Sequence, residues 1–302
     1  MDSQKRAAWK QKQKTDTIFE LISENAAEDL LDVAKDTEIA YLSEFEEDAM
    51  EYLKNEGTYQ GVRTGYKGID TLMGSFLPGE LMTIGGDTGH GKSLLAMNIG
   101  YNVYKATQQP VLFVNLELTR NQAVQRFYSL SGPDHDYAGI MIQRAPAVRY
   151  QDIDVLMKKA KGAGCVLVII DHLHFFSRSS KNAVEELSRI MKHFKECAVE
   201  NEMAVLLLSH VTPTRVMDPS GRVKKVYKPD LHNFKGSSSI EQDSDMVGFV
   251  FRNKDTPKEM EFYMRKNRSR PLNEQSTTLI QKGWKLEEDE IWLPTNSKQS
   301  GK

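Results

Sequence analysis

Cysteine is scarce in this sequence: Cys165 and Cys197 are the only two in 302 residues. No metal-ligand spacing joins them, and they fall in an apolar run and a helical pattern, so both read as buried thiols of a reducing compartment. Long apolar runs are missing as well. No segment approaches the ~20 residues needed to cross a bilayer, and the opening MDSQKRAAWKQKQK has no apolar core for a secretory signal. A cytoplasmic protein without a membrane partner is expected. Net charge is nearly absent, at −2, so bulk charge announces no nucleic-acid partner and any anion site must be local. From Asp2 to Gly57 the chain is also poor in glycine and proline while rich in acidic residues. Apolar residues there recur at helical spacing (Ile18, Leu21, Ile22, then Ile39, Leu42, Phe45, Met50, Leu53), which predicts short amphipathic helices too small to form a core alone.

What is present begins after a Gly/Thr/Tyr-rich linker at 57–68. Short apolar runs, ELMTIGG, PVLFVNLE, CVLVIID and MAVLLLSH, alternate with helix-length segments carrying apolar residues every three or four positions. Runs that are apolar throughout are strands covered on both faces, so an α/β fold with a mainly parallel sheet is expected. DMVGFVFRN, EMEFYMRKN and TTLIQKG are expected to add an antiparallel C-terminal extension. The division is therefore 1–57 as an acidic helical segment, 58–293 as the α/β domain and 294–302 as a disordered tail.

Gly86-Asp87-Thr88-Gly89-His90-Gly91-Lys92-Ser93 is a phosphate-binding loop by spacing and by context, since it follows a strand and opens a helix. Glycines let backbone amides turn toward a β-phosphate, and the helix N-terminus adds a favourable dipole. Lys92 would reach the β and γ oxygens, and the Ser93 hydroxyl would ligate Mg²⁺. Such a hydrolase also needs a carboxylate near the metal and another for the attacking water. Asp171 ends one strand and Glu117 ends another, both at the carboxyl edge where open α/β sheets bind ligands. Asp171 is assigned to the metal and Glu117 to the water. His210, at the end of a further strand, is a candidate γ-phosphate sensor, whereas His172 and His174 read as packing or surface residues.

Two basic clusters remain. Between Val211 and Gly236 lie Arg215, Arg222, Lys224, Lys225, Lys228 and Lys235 against only two acids, in a loop leaving the strand that carries His210. That is the geometry of a moving contact to a phosphate backbone. YMRKNRSR places Lys266 and Arg268 two apart on a strand, facing the same way, where they would stabilise charge on a neighbouring subunit's γ-phosphate.

From about Gly65 to Gly283 the chain resembles the ATPase domain of DnaB-like hexameric replicative helicases. The resemblance rests on GGDTGHGKSLLAMNIG, VLFVNLELTRNQAVQRF, VLVIIDHLHFF, GSSSIEQDSDMVGFVFRN and KNRSRP, in that order. It implies a RecA-like P-loop core, ATP or another NTP or dNTP with Mg²⁺ as cofactors, a homo-oligomeric ring of six, and 5′ to 3′ travel on single-stranded DNA. It assigns Lys92 and Ser93 to phosphate and Mg²⁺, Glu117 to catalytic water, Asp171 to Mg²⁺, and Lys266 and Arg268 to the neighbour's γ-phosphate. Gln242 falls in the motif linking nucleotide state to the DNA loops, and Arg126 matches a position on the helix after Glu117. His210 stands where bacterial members usually carry glutamine and is similar to the sensing histidine of phage primase–helicases. The protein is expected to lack both a primase domain and the helical collar domain that precedes the motor in bacterial members, and the acidic segment is expected to be a linker helix packing on an adjacent subunit. A primase or a helicase loader is the further partner implied. The residues alone leave open a RecA-like recombinase and a nucleotide-gated DNA-binding loader or scaffold.

Overall fold

In CVLVIID and MAVLLLSH the apolar residues run without a break, yet successive side chains on a strand point to opposite faces. The computed structural model, which describes residues 61–143, 148–176, 183–217, 223–234 and 238–288, resolves that pattern into two cores. Leu167 and Ile169 of β4 (Leu167–Asp171) and Ala204, Leu206 and Leu208 of β5 (Ala204–His210) pack in one layer. Val168, Ile170, Val205 and Leu207 pack in the other. Burying each such aliphatic side chain contributes roughly 1.5–3 kcal/mol, so the two layers together outweigh any single contact at the surface.

The other strands are β1 (Leu81–Gly86), β2 (Val111–Asn115), β3 (Ile140–Ile142), β6 (Arg215–Met217), β7 (Val223–Val226), β8 (Met246–Phe251), β9 (Glu259–Asn267), β10 (Ser276–Lys282) and β11 (Lys285–Glu288). Of the eleven strands among the described residues, nine form one sheet in the order β11-β10-β9-β8-β1-β5-β4-β2-β3. β6 and β7 form a separate antiparallel hairpin. On the first face lie α1 (Lys67–Met73), α2 (Lys92–Thr107) and α3 (Arg120–Ser131). On the second lie α4 (Ile153–Gly162) and α5 (Ala183–Glu200), with α6 (Ser238–Asp243) beside α5. α3 starts at a capping box in which Thr119 accepts from the Gln122 amide and Gln122 returns the bond, a device contributing about 1 kcal/mol.

The mainly parallel sheet with helices on both faces is as expected, with one correction. The expectation that DMVGFVFRN opens the antiparallel extension does not hold: β8 pairs parallel with β1, and only β9 runs against it. Its buried run Met246–Val250 is covered on both faces like the other parallel strands, and the extension is β9–β11. The acidic segment 1–57 and the tail 294–302 lie outside the described residues.

The parallel registers align the strand ends. Gly86 stands opposite His210, and Asn115 opposite Asp171. Four strand ends therefore meet along one carboxyl edge.

Candidate active site

β1 delivers Gly86 to that edge, and the chain turns through 87–91 into α2. Gly91 caps the helix at φ 92°, a left-handed conformation that side chains disfavour; a Cβ there would lie 2.4 Å from the Met260 methyl. At Gly86 a Cβ would lie 2.7 Å from Val250 and crowd Lys92. The first helical bond runs from the Leu95 amide to the Gly91 carbonyl, so the amides ahead of it in the first turn have no helical acceptor and suit an anion.

Lys92 is buried. Its ammonium donates to the Gly86 carbonyl at 2.8 Å and the Asp87 carbonyl at 3.1 Å, and lies 3.2 Å from His210 Nδ1. Burial pulls it down to about 8, with the Asp171, Asp87 and Glu117 carboxylates acting in the opposite direction. Among the described residues the charge is thus held by carbonyls and an imidazole, with no carboxylate in contact, which suits neutralisation by phosphate.

Asp171 is buried at the end of β4. Burial raises its carboxyl to about 6; the Ser93 hydroxyl bonded to it works against that rise, and Glu117 adds to it. Its Oδ2 is buried without a hydrogen-bond partner among the described residues. Donor atoms of Asp171, Glu117 and His172 lie within 4.8 Å of one another. A buried carboxylate oxygen lacking a donor, beside a hydroxyl and a second carboxylate, is a donor set that fits a hard dication. Glu117 rides on a turn fixed by Asn115, whose Oδ1 accepts from the Glu117 and Leu118 amides at 3.3 and 2.8 Å and whose Nδ2 donates to the Leu118 carbonyl.

Lys92, Ser93, Glu117, Asp171 and His210 line one cleft of about 780 Å³, within the ~300–1,000 Å³ usual for small-molecule sites. Arg126 also lines it, its guanidinium 4.7 Å over the Trp284 ring. Arg252 and Trp284 join the lining from just beyond β8 and from the β10–β11 turn, and nothing in their local spacing marks them. His172 packs, as one of its two readings had it: it is buried, its ring set edge-on to His210 at 4.1 Å behind the cleft.

A strand, a glycine loop and a helix present buried Lys92 and Ser93 to two carboxylates from neighbouring strand ends. The model of the DnaB-like helicase C-terminal domain matches residues 61–133 and 134–287, three-quarters of the chain. This chain belongs to that family. It is 28% identical to the replicative DNA helicase DnaB of Geobacillus stearothermophilus over 74% of this chain and 56% of that one. With the replicative DNA helicase DnaC of Bacillus subtilis the identity is 27%, over 71% and 52%. The chain thus spans about half the length of these relatives. Among solved structures, a DnaB-like replicative helicase, determined with its interactions with primase, superposes with a TM-score of 0.64 at 18% identity, covering 92% of this chain and 75% of that one. A separately solved ATPase domain gives 0.69 at 18% identity, covering 84% of this chain and all of that one. The RecA-like fold expected for the DnaB-like domain is the fold observed.

Lys266 and Arg268 are not in the cleft. β9 runs antiparallel to β8, pairing Lys266 with Val247, and the Arg268 amide bonds the Asp245 carbonyl, beside Leu81 at the start of β1. At the rise of a strand, Leu81 and Gly86 are ~16 Å apart, farther than an arginine side chain spans. Both cations meet at the C-terminal end of α6. The Lys266 ammonium donates to the Glu241, Gln242 and Ser244 carbonyls, the last at 2.6 Å, and Arg268 donates to the Gln242 carbonyl at 2.8 Å. Partial burial, then the neighbouring Arg268, hold Lys266 below its usual value. Asp245, buried, takes Lys195 at 2.7 Å, the Leu81 amide at 2.8 Å and Arg268 at 3.4 Å.

Within the basic segment, β6 and β7 pair antiparallel, so part of it is strand rather than irregular loop. Arg215 is paired with the phosphate-loop residue Asp87 at 2.6 Å. Partial burial works to raise the Asp87 carboxyl, but the Thr88 amide and the Arg215 guanidinium outweigh it and leave it below its usual range. Lys228 is paired with Glu261 of β9 at 2.5 Å. Lys224 and Lys225 fall on β7, whereas Arg222 and Lys235 lie outside the described residues. The sequence thus located the basic segment but not the two partners, which come from 128 and 33 positions away.

Proposed function

We propose that this chain is the motor of a replicative DNA helicase. It hydrolyses ATP, or another NTP or dNTP, at interfaces between identical subunits in a six-membered ring and moves along single-stranded DNA to separate the duplex. The observation that carries this reading is the placement of Lys266 and Arg268 at the edge of the sheet opposite the chain's own cleft. Cations that cannot serve their own nucleotide can serve a neighbour's.

In this scheme Lys92 and the first-turn amides of α2 bind the β- and γ-phosphates, and Ser93 and Asp171 hold Mg²⁺. When bound, Mg²⁺ would neutralise the charge on the phosphate oxygens. Glu117, held by Asn115, orients the attacking water and takes its proton. Arg268 and Lys266 of the adjacent subunit stabilise charge on the γ-phosphate as it leaves. His210, in contact with Lys92, relays loss of that phosphate to the basic segment between Val211 and Gly236, whose Arg215, Arg222, Lys224, Lys225, Lys228 and Lys235 supply the contacts to the DNA backbone. Residues 58–293 are the motor domain, 1–57 an acidic N-terminal linker segment, and 294–302 a tail. A primase or a loader is the further partner, the former in keeping with the primase interactions of the DnaB-like helicase of similar fold. Among the described residues no helix is long and apolar enough to cross a membrane, in keeping with a cytoplasmic motor.

The test is steady-state ATP hydrolysis against protein concentration, with and without single-stranded DNA. Turnover per chain should rise with concentration as subunits assemble, and DNA should stimulate it at least tenfold. Full turnover by dilute monomers, indifferent to DNA, overturns the proposal; filaments that pair homologous strands without unwinding would replace it with a recombinase.

A further inference from the structure

Away from the nucleotide cleft, α4 and α5 pack side by side on the second face of the sheet. Asp154 lies in the first turn of α4, and His193 and Cys197 lie one turn apart on α5, a separation that stacks side chains on one helix face. The Cys197 thiol donates to Asp154 Oδ1 at 3.0 Å and lies 3.7 Å from His193 Nε2. His193 Nε2 in turn lies 3.9 Å from Asp154 Oδ2. All three donors are within 4.8 Å of one another.

We propose that Asp154, His193 and Cys197 form a binding site for a divalent transition-metal ion, and that Zn²⁺ is the ion this donor set favours. Tetrahedral zinc with bonds of about 2.0–2.3 Å needs donor atoms roughly 3.3–3.8 Å apart. The Sγ–Oδ1 separation of 3.0 Å, the Sγ–Nε2 separation of 3.7 Å and the Nε2–Oδ2 separation of 3.9 Å lie near that range, so a small rotation of the Asp154 carboxylate that brings one oxygen to both partners would seat the ion. One thiolate, one imidazole and one carboxylate suit Zn²⁺ over Mg²⁺ or Ca²⁺, which take oxygen donors. The side chains of His193 and Asp154 are 26% and 42% exposed, which gives the ion access from solvent and leaves the fourth position to water.

The charges around the thiol include three carboxylates. Burial, then the bond to Asp154 and the charges of Asp154, Glu200 and Glu196 push the Cys197 thiol up to about 12. Of these causes, the Asp154, Glu200 and Glu196 carboxylates also favour a dication, whereas burial favours no charge. Binding is then an exchange: the sulfur gives its proton to solvent as the metal–sulfur bond forms. Cys165 is the internal contrast. It is also buried, but its sulfur faces the Met141 sulfur at 3.6 Å and burial alone raises it, so it has no comparable set of ligands. The Glu117–Asp171–His172 group contains no sulfur, so a probe that reports a sulfur ligand separates the two sites. The metal site stands independently of the helicase reading.

The test uses the whole chain, stripped with a chelator and titrated with Co²⁺, whose spectrum reports both tetrahedral geometry and sulfur ligation. One equivalent should produce a near-ultraviolet sulfur-to-cobalt band, and Zn²⁺ should bleach it by displacement. Cys197→Ser should abolish the band, and Asp154→Asn or His193→Ala should weaken binding at least about tenfold. Cys165→Ser should leave it unchanged. Circular dichroism on each variant checks folding, and Asp154→Asn, at a half-exposed position, serves if a core variant does not fold. Absence of a sulfur band at any cobalt concentration, or its persistence in Cys197→Ser, overturns the site.

Discussion

The two edges of one sheet treat their charges in opposite ways. At the carboxyl edge, Lys92 and Asp171 are buried, one a cation resting on carbonyls and an imidazole, the other an acid with one oxygen lacking a donor. Folding has left these groups incompletely compensated, and their ordinary values are displaced toward neutrality. At the amino edge, Lys266 and Arg268 are engaged with the α6 carbonyls and Asp245 but partly open to solvent. The first edge is a site waiting for ions that bring the missing charge. The second is a pair of cations parked on the end of a helix, too far from the cleft to serve it in their own chain. Each edge supplies what the other lacks, which is the physical case for a site completed between copies.

The comparison breaks first at Lys92. Lys92→Ala should abolish nucleotide binding and hydrolysis, a loss of at least a hundredfold measured by turnover, because Lys92 is the cation held on the Gly86 and Asp87 carbonyls at the centre of the loop. Retained hydrolysis would mean the carboxyl edge is not the reaction site. Next in size is a mixing experiment. Arg268→Ala and Glu117→Ala proteins, each inactive alone, should recover up to about a quarter of wild-type hydrolysis when combined, because some interfaces then pair an intact Glu117 with an intact Arg268. No recovery at any ratio would place the arginine's role within its own chain.

The smallest effect sharpens the contrast in stored charge. Asp171 titrates near 6 in the folded chain and near 3.9 unfolded. Between those values the native state holds more protons than the unfolded one, so stability falls as pH rises through the window. The ionised group costs on the order of 2–3 kcal/mol at neutral pH. Asp171→Asn should therefore raise the melting temperature of the metal-free protein near neutral pH by about 5 °C while removing Mg²⁺-dependent hydrolysis. The gain should vanish near pH 4. An unchanged or lower melting temperature at neutral pH would show that Asp171 is not a strained charge.

Legibility in the sequence depends on how local each feature is. The phosphate loop, Asp171 and Glu117 are readable because each sits at a fixed offset from an apolar strand, and the strand carries it to the edge. Lys266 and Arg268 are readable as a pair on one face, since strand alternation is local. Their distance from the cleft is not, because it depends on β9 running against β8. The direction of DMVGFVFRN is hidden for the same reason: a buried strand reads alike whichever way its neighbour runs, and only the pairing with β1 decides. His172 is legible only as a packing or surface residue, because a histidine after a strand end carries no signal of which ring it will pack against, here His210.

By itself, then, the sequence determined the kind of chemistry: strand, glycine loop and helix dictate a phosphate site through backbone geometry that any tertiary setting must respect. Only the tertiary structure decided which charges meet. Arg215 on Asp87, Lys228 on Glu261, Arg268 on Asp245 and Cys197 on Asp154 join residues from separate elements. Their pairing is set by sheet order, register and helix packing, which arise from burial summed over the whole domain and not from any one segment's pattern.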